Sequence, residues 1–283
     1  MLLQEIKNIF HKELDVIYQK EEVNSFFYLL IEHHLGLQRF VLVMEPNLVV
    51  KKTEESPLFE ALSKLKLDIP IQYIIGTTEF MDLEFIVNEN VLIPRPETEE
   101  LVRWILDDIK NHNSKLKILD VGTGSGCIPI SLAKHLPNAE VFTIDVSSAA
   151  IAVAKQNAKS NKVSIAFIHD SILEIESLGQ KFDIIVSNPP YVRELEKLAM
   201  SENVLEHEPE LALFVSDDNP LVFYKKITEF ASQNLTKNGK LYFEINQYLG
   251  KETSNLLEKD NFSAIELRQD MFGNDRMLKG IKN

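Results

Sequence analysis

Asp120-Val121-Gly122-Thr123-Gly124-Ser125-Gly126 is a glycine-rich loop between a predicted strand, residues 116–121, and a predicted helix, residues 127–135. Glycine permits the tight strand-to-helix turn and lets a ligand approach the backbone closely. The start of the following helix offers unpaired N–H groups and a partial positive charge, which favour a carboxylate or a phosphate. The loop therefore predicts a ligand site at the carboxyl end of a strand.

From residue 115 onward, predicted strands and helices alternate along the chain. This alternation is typical of the α/β class, in which a mostly parallel sheet carries helices on both faces. Ligands in such sheets bind beyond the carboxyl ends of the strands, where the glycine loop lies. The predicted strands are residues 116–121, 140–144, 163–168, 182–187, 240–245, 264–268 and 276–281, and the predicted helices are residues 127–135, 147–160, 220–235 and 248–259.

An acidic residue, Asp145, follows the second predicted strand, 19 residues after Gly126. A carboxylate there can accept hydrogen bonds from both ribose hydroxyls of an adenosine-type ligand. The loop spacing, G-x-G-x-G, differs from the dinucleotide fingerprint G-x-G-x-x-G. Asp120, ahead of the loop, suits the ammonium group of a methionine, so the pattern favours S-adenosylmethionine. The simpler alternative is a glycine-rich turn and a helix that Asp145 caps ahead of Ser147.

Asn188-Pro189-Pro190-Tyr191 follows the predicted buried strand 182–187. The two prolines remove two N–H donors and restrict the residues before them, which predicts a stiff turn with free carbonyl groups. An amide or aromatic amine nitrogen is a poor nucleophile and must be oriented. The Asn188 side-chain oxygen and the Pro189 carbonyl are candidate acceptors for its two N–H groups, and the Tyr191 ring can lie against it. The motif indicates methyl transfer to a planar nitrogen.

Asp170 and Cys127 are two further residues of chemical interest near the predicted strand ends. Asp170 either accepts the exocyclic amine of an adenine or caps a short helix. Cys127 is interpreted as a packing residue, because no histidine or lysine is placed to activate it. His33 and His34 are adjacent and cannot share a helix face, so we expect no metal site.

The first 75 residues differ from the rest of the chain. Apolar residues recur at helical spacing over residues 23–35 and 57–67, which predicts a small helical domain. Residues 77–80 and 83–87 then flank Met81-Asp82 as in a tight hairpin. Pro96 suits the first position of a helix whose early acidic residues, including Glu97, lie at its positive end.

The composition narrows the class of protein. The chain has 283 residues, of which 45% are hydrophobic, a single cysteine, and a formal net charge of −13. We expect a cytoplasmic protein without a disulfide, a secretion signal or a membrane span. A protein that binds nucleic acid through its phosphates usually has a basic face, so the negative charge counts against a nucleic-acid substrate.

The glycine loop, Asp145 and the Asn-Pro-Pro-Tyr motif together resemble the class I methyltransferases that modify planar amino or amide nitrogens. The run Leu92-Ile93-Pro94-Arg95-Pro96-Glu97-Thr98-Glu99 closely resembles the signature of the release factor glutamine methyltransferases of the HemK/PrmC type. The resemblance covers residues 70–283 well. Further matches are Glu79-Phe80, His207-Glu208-Pro209, Leu211-Ala212-Leu213-Phe214, Phe243-Glu244-Ile245 and Gly273-Asn274-Asp275-Arg276.

The resemblance implies a Rossmann-like fold with a mostly parallel seven-stranded sheet. It implies a helical substrate-recognition domain at residues 1–75, a β-hairpin linker at 76–95 and the methyltransferase domain at 96–283. The implied activity, part of translation termination, is protein methylation of the glutamine side-chain nitrogen, N5, in the Gly-Gly-Gln motif of peptide chain release factors. The implied cofactor is S-adenosyl-L-methionine, and we expect a monomer that contacts no nucleic acid or membrane.

The implied roles are carried over position by position. The catalytic residues are Asn188, Pro189 and Tyr191, and the substrate contacts add Pro190, Arg95 and Glu97. The cofactor contacts are Gly122, Thr123, Gly124, Ser125, Gly126, Asp145, Asp170, Ser171 and Asn188. Three positions depart from the family pattern: Asp82 and Asn246 replace frequent glycines, and Ser171 stands where some members have an aromatic residue.

Other classes of protein share parts of this pattern. Amino-methyltransferases that act on adenine or guanine of RNA or DNA use the same four-residue motif, but they must hold phosphates and extract the base from its stack. A nucleotide-dependent oxidoreductase would need the other glycine spacing. A binding protein without activity would not need an intact Asn-Pro-Pro-Tyr motif beside an intact cofactor loop.

Overall fold

The computed structural model describes residues 1–110 and 115–283, which form two compact units. The first unit comprises Met1–Gly76 together with Ser201–His207. The second comprises Thr77–Met200 and Glu208–Asn283. Within the described residues, no helix has both the length and the apolar character that crossing a membrane requires.

The first unit is a helical bundle whose core is made of apolar stripes. Along the helix Lys20–Leu35, four buried side chains recur at helical spacing, and the left-handed residue Gly36 ends the helix. The later segment contributes a hydrogen bond from the His207 ring to the carbonyl oxygen of Leu67 at 3.0 Å. The helices are α1 (Leu3–Leu14), α2 (Lys20–Leu35), α3 (Val41–Met44), α4 (Lys52–Leu65), α5 (Ile71–Ile75) and α9 (Glu202–His207).

The second unit begins with the predicted hairpin. β1 (Thr77–Phe80) pairs antiparallel with β2 (Leu83–Ile86), and Phe80 lies opposite Leu83. The two turn residues, Met81 and Asp82, both have positive φ values, 51° and 60°. A two-residue turn of this type matches the twist of the strands, which explains why a glycine at position 82 would also fit.

A seven-stranded sheet forms the centre of the second unit, in the order β10-β11-β9-β6-β3-β4-β5. The five strands from β9 to β5 are parallel neighbours, and β11 pairs antiparallel with both β9 and β10. The predicted mostly parallel sheet is therefore confirmed. The strands are β3 (Lys117–Val121), β4 (Glu140–Asp145), β5 (Ala166–His169), β6 (Phe182–Ser187), β9 (Leu235–Glu244), β10 (Phe262–Gln269) and β11 (Asp275–Lys282).

Helices cover the sheet, with one apolar cluster built around Trp104 and Tyr242 and another around Tyr224 and Phe243. Pro96 occupies the start of its helix, as predicted, because a missing N–H costs nothing there. The helices of this unit are α6 (Pro96–Ile109), α7 (Cys127–His135), α8 (Ser148–Ser160), α10 (Glu210–Leu213), α11 (Val222–Asn234) and α12 (Gly250–Lys259).

Residues 191–215 contain short elements that the sequence pattern does not predict. Two short parallel strands, β7 (Val192–Arg193) and β8 (Phe214–Val215), pair outside the main sheet. A 3-10 helix, Glu194–Ala199, follows β7 directly. Elements of two to six residues are too short to show a hydrophobic period, so only the tertiary contacts define them.

Candidate active site

A cavity of about 1120 Å³, including its open mouth, lies at the carboxyl ends of the parallel strands. β4 and β6 flank β3 on opposite sides, so the chain reverses its direction of travel across the sheet at β3. Such a switch point is where open α/β sheets bind ligands. The predicted site residues that line the cavity are Arg95, Gly122, Thr123, Gly124, Ser125, Asp145, Asp170, Ser171, Asn188, Pro189 and Pro190.

The glycine loop forms one wall of this cavity, and its backbone conformation requires glycine. Gly122, Gly124 and Gly126 have φ values of 82°, 53° and 84°. A Cβ atom on Gly126 would come within 2.8 Å of the Ile130 side chain. Gly126 itself does not line the cavity, so it shapes the loop through close helix packing.

Asp145 ties the glycine loop to the second strand. Its Oδ2 accepts a hydrogen bond from the N–H of Gly124 at 3.0 Å, and its Oδ1 accepts one from the N–H of Ser147 at 2.8 Å. The cap of α8 is Ser147, whose Oγ accepts from the N–H of Ala150. Burial raises the pKa of the Asp145 carboxyl, and these backbone N–H groups oppose that shift.

Three buried polar atoms in and beside the loop have no hydrogen-bond partner among the described residues. They are Thr123 Oγ1, Ser125 Oγ and Asp120 Oδ1. Thr123 and Ser125 line the cavity. Buried polar atoms normally have partners, so this wall fits a ligand that carries both hydrogen-bond donors and acceptors, as an amino acid group does. Burial raises the pKa of Asp120 to about 7.

Asp170 and Ser171 lie on the same cavity, beyond the end of β5. The Asp170 N–H donates to the carbonyl oxygen of Asp145 at 3.1 Å, which holds the two acidic residues side by side. Asp170 Oδ1 accepts from the N–H of Ser171 at 2.8 Å. The residues that follow form a hydrogen-bonded turn rather than a helix, so Asp170 is not a helix cap.

The proline corner, residues 188–190, forms the opposite wall and lies close to the glycine loop. A Cβ atom on Gly122 would be 3.9 Å from the carbonyl oxygen of Asn188. The hydroxyl of Ser187 donates to the carbonyl oxygen of Val121 at 2.7 Å and so joins the ends of β6 and β3. The structure thus brings the two motifs singled out in the sequence together at a single cavity.

A series of hydrogen-bonded side chains lies behind the proline corner. Asn188 Nδ2 donates to Thr98 Oγ1 at 3.3 Å, and Thr98 Oγ1 donates to Glu244 Oε2 at 2.6 Å. The Tyr191 hydroxyl donates to the other carboxylate oxygen, Glu244 Oε1, at 3.0 Å. Burial raises the pKa of Glu244, whereas the hydrogen bonds from Thr98 and Tyr191 and the nearby Arg276 charge lower it.

Tyr191 is not among the residues that line the cavity. Its ring packs against the apolar cluster that contains Tyr224, and its contact with a substrate stays a prediction. Its hydroxyl also accepts a hydrogen bond from Arg276, and its carbonyl oxygen accepts one from Asn246 Nδ2 at 3.0 Å. Tyr191 therefore anchors the proline corner from behind, and Asn246 adds a contact that a glycine could not make.

The segment before α6 is fixed by a buried carboxylate, that of Glu208. Arg95 Nη2 donates to Glu208 Oε1, and the N–H of Ile93 donates to Oε2 at 3.2 Å. Arg95 lines the cavity while remaining one-third exposed. Glu97 lies in the first turn of α6 and does not line the cavity.

Thr98 and Glu244 are the site residues that the sequence reasoning misses. Both lie in stretches that match the family signature, but nothing in the sequence connects them, because they are 146 residues apart. Cys127 does line the cavity. Burial raises the pKa of its thiol to about 12, which disfavours the reactive thiolate.

Comparisons with known proteins place the chain among methyltransferases. Residues 100–212 match the family model of the methyltransferase small domain, and residues 12–76 match that of the PrmC N-terminal domain. The chain is 56% identical over 281 residues to a release factor glutamine methyltransferase of Flavobacterium psychrophilum, with 99% of each chain covered. It is 41% identical over 268 residues to that of Bacteroides thetaiotaomicron, covering 94% of this chain and 95% of the relative.

The solved structures support the fold. A methyltransferase from Pyrococcus furiosus superposes with a TM-score of 0.52 at 16% identity, covering 82% of this chain and 100% of the other. The 16S rRNA N2 G1207 methyltransferase of Thermus thermophilus gives a TM-score of 0.53 at 18% identity, covering 73% of this chain and 50% of the other. At these identities the likeness shows a shared class I methyltransferase fold and nothing finer.

Proposed function

The chain belongs to the family of release factor glutamine methyltransferases, and from this membership we propose that it methylates the glutamine of the Gly-Gly-Gln motif in peptide chain release factors. The methyl group goes from S-adenosylmethionine to the side-chain amide nitrogen, N5. The observation that carries the proposal is the meeting of the Asn188-Pro189-Pro190 corner and the glycine loop at one cavity.

The residues of the glycine-loop wall fit S-adenosylmethionine. The cofactor supplies, when bound, an electrophilic methyl group on a positively charged sulfur. The Thr123 and Ser125 hydroxyls and the loop backbone, which line the cavity, suit its amino acid end, and Asp145 suits the ribose hydroxyls. Asp170 and Ser171 line the same cavity next to Asp145 and would contact the adenine.

The proline-corner wall provides the acceptors for the substrate amide. The Asn188 side-chain oxygen and the Pro189 carbonyl oxygen would accept from the two N–H groups of the glutamine amide and orient its nitrogen. No strong base is required before transfer, because the methylated nitrogen becomes acidic and then loses a proton. Catalysis rests on positioning and on preorganised acceptors.

The remaining roles are also proposals. Residues 1–75 would recognise the release factor, residues 76–95 would link the domains, and residues 96–283 would carry the reaction. Arg95, held by Glu208, would shape the mouth through which the glutamine enters. We place the enzyme in the cytoplasm as a monomer that acts on protein and not on nucleic acid.

The test is mass spectrometry of purified release factors after incubation with the protein and S-adenosylmethionine. We expect a gain of one methyl group on the peptide that contains Gly-Gly-Gln, on the glutamine itself. A release factor with this glutamine changed to alanine is the control and should stay unmodified. Methyl groups found only on nucleosides from added RNA or DNA would contradict the proposal and favour an amino-methyltransferase of nucleic acid.

A further inference from the structure

We infer that Thr98 and Glu244 are positioning residues, which fix the amide of Asn188 so that its oxygen, and not its nitrogen, is presented to the substrate. The inference rests on the proposed function and adds to it the device that orients the acceptor. Asn188 touches the cavity, whereas Glu244 is buried and reaches the Asn188 amide through Thr98.

The direction of the hydrogen bonds follows from the chemistry of the groups. An ionised carboxylate can only accept, so the short 2.6 Å contact with Glu244 commits the Thr98 hydroxyl hydrogen to Glu244. The Thr98 oxygen then offers only lone pairs to its other neighbour, which is Asn188 at 3.3 Å. Only the NH₂ group of the Asn188 amide can donate a hydrogen bond to this oxygen, so the NH₂ group faces Thr98.

The opposite end of the amide is thereby left for the substrate. Among the described residues, no donor is hydrogen-bonded to Asn188 Oδ1, whereas Nδ2 has the Thr98 partner. If the Asn188 amide were rotated by about 180°, its NH₂ group would face the N–H groups of the glutamine and would repel them. Without a fixed donor or acceptor beside it, an asparagine amide has nearly equal shapes in both orientations, so geometry alone does not choose between them.

Burial raises the pKa of Glu244, and other contacts oppose this effect and favour the ionised form that the arrangement needs. Its second oxygen accepts from the Tyr191 hydroxyl, and that hydroxyl also accepts from Arg276. Arg276 is held in turn by an ion pair with the buried Asp270 at 3.1 Å. The orientation of Asn188 thus depends on groups from α6, β9 and β11, which lie far apart in the sequence.

The experiment compares two pairs of variants by steady-state kinetics on a release factor. Thr98→Val keeps the side-chain shape but removes the hydroxyl, and we expect kcat to fall roughly 10- to 100-fold with little change in cofactor affinity. Thr98→Ser restores the hydroxyl and should recover most of kcat. Glu244→Gln keeps the volume but adds a donor, so it should lower kcat as Thr98→Val does. Thr253→Val, which removes a buried hydroxyl from α12, is the matched control.

The outcomes separate a positioning role from a structural one. A Thr98→Val enzyme with unchanged kcat, or with cofactor affinity and thermal stability lost in parallel with kcat, would overturn the inference. Equal losses in Thr98→Val and Thr98→Ser would overturn it as well. If Thr98→Val does not fold, Glu244→Gln and the crystal structure below decide.

An atomic-resolution crystal structure tests the amide orientation without any substrate. The Cγ–O and Cγ–N bond lengths of Asn188 should place the nitrogen beside Thr98 in the wild type. The reverse orientation would overturn the inference whatever the enzyme methylates. A wild-type enzyme that shows the expected orientation but leaves release factors unmodified would instead contradict the proposed function alone.

Discussion

The glycine-loop wall and the proline-corner wall of the cavity are held in place by different kinds of contact. In the glycine-loop wall, a backbone N–H, that of Gly124, donates to the side-chain carboxylate of Asp145, 21 residues away. In the proline-corner wall, both partners are side chains: Asn188 donates to Thr98, 90 residues away, and Thr98 donates to Glu244. The first wall therefore depends on the backbone conformation of the loop, whereas the second depends on the donor or acceptor at each position.

The largest expected effect is a loss of activity when the proline-corner wall is changed. Asn188→Ala removes one preorganised acceptor at the reacting centre, so we expect a loss of about 2.7–4 kcal/mol of transition-state stabilisation, or roughly 10²–10³-fold in kcat. Cofactor binding, measured by titration calorimetry, should be nearly unchanged because the opposite wall remains intact. A large loss of cofactor affinity would mean that the two walls are not independent.

The next largest effect is on stability, and it differs between two glycines of the glycine-loop wall. Gly126→Ala should lower the free energy of unfolding by about 3 kcal/mol, because it combines a left-handed backbone with a Cβ that would crowd Ile130 at 2.8 Å and the Cβ of Ala154 at 3.1 Å. Gly124→Ala, where a Cβ would meet nothing within 4 Å, should cost only about 1–2 kcal/mol. Denaturant unfolding measures both, and equal losses would remove close packing as the cause.

Asp145→Ala tests whether the carboxylate contributes to the cofactor site itself. We expect the cofactor dissociation constant to rise about 10- to 100-fold, since hydrogen bonds to a charged group are lost. At saturating cofactor, kcat should fall much less than in Asn188→Ala. Asp145→Asn, which keeps one acceptor oxygen, should show a smaller effect. An unchanged dissociation constant in the alanine variant would exclude Asp145 from the site.

Measured per pH unit, the smallest effect concerns the buried Asp120. Its pKa is about 7 in the fold against an ordinary 3.8, because burial penalises the charged form. Between these values the unfolded chain has lost this proton while the folded protein retains it, so rising pH favours unfolding. In the cofactor-free protein this group contributes a slope of up to about −1.4 kcal/mol of unfolding free energy per pH unit.

Asp120→Asn should remove this slope between pH 4 and pH 7. Denaturant titrations of both proteins at several pH values measure the difference. An identical pH dependence of the two proteins would show that Asp120 does not take up the proton on folding.

The glycine-loop wall could be predicted from the sequence because the residues that define it are close together in the chain or lie at predicted strand ends. Short stretches of sequence indicate the local backbone conformation in each case: the glycine loop, the acid after the second strand and the hairpin at Met81-Asp82. The mostly parallel sheet follows from the alternation of elements and is confirmed. The two motifs were also correctly expected at strand ends.

The proline-corner wall could be predicted from the sequence only in part. Asn188 stands out because prolines follow it, but its link to Thr98 and Glu244 requires the strand order and the placement of α6. The ring of Tyr191 predicts a surface for the substrate amide, and that stays a prediction. Its hydroxyl contacts with two distant partners, Glu244 and Arg276, follow from no spacing rule.

The first unit has a consequence for biosynthesis, because it includes Ser201–His207 as well as Met1–Gly76. A ribosome adds residues in order, so this unit is completed only after residues 77–200 have been translated. The nascent bundle therefore lacks its last segment while residues 77–200 are added. Fragments cut at residue 76 would lack a native part of their own unit, which matters for any attempt to produce it in isolation.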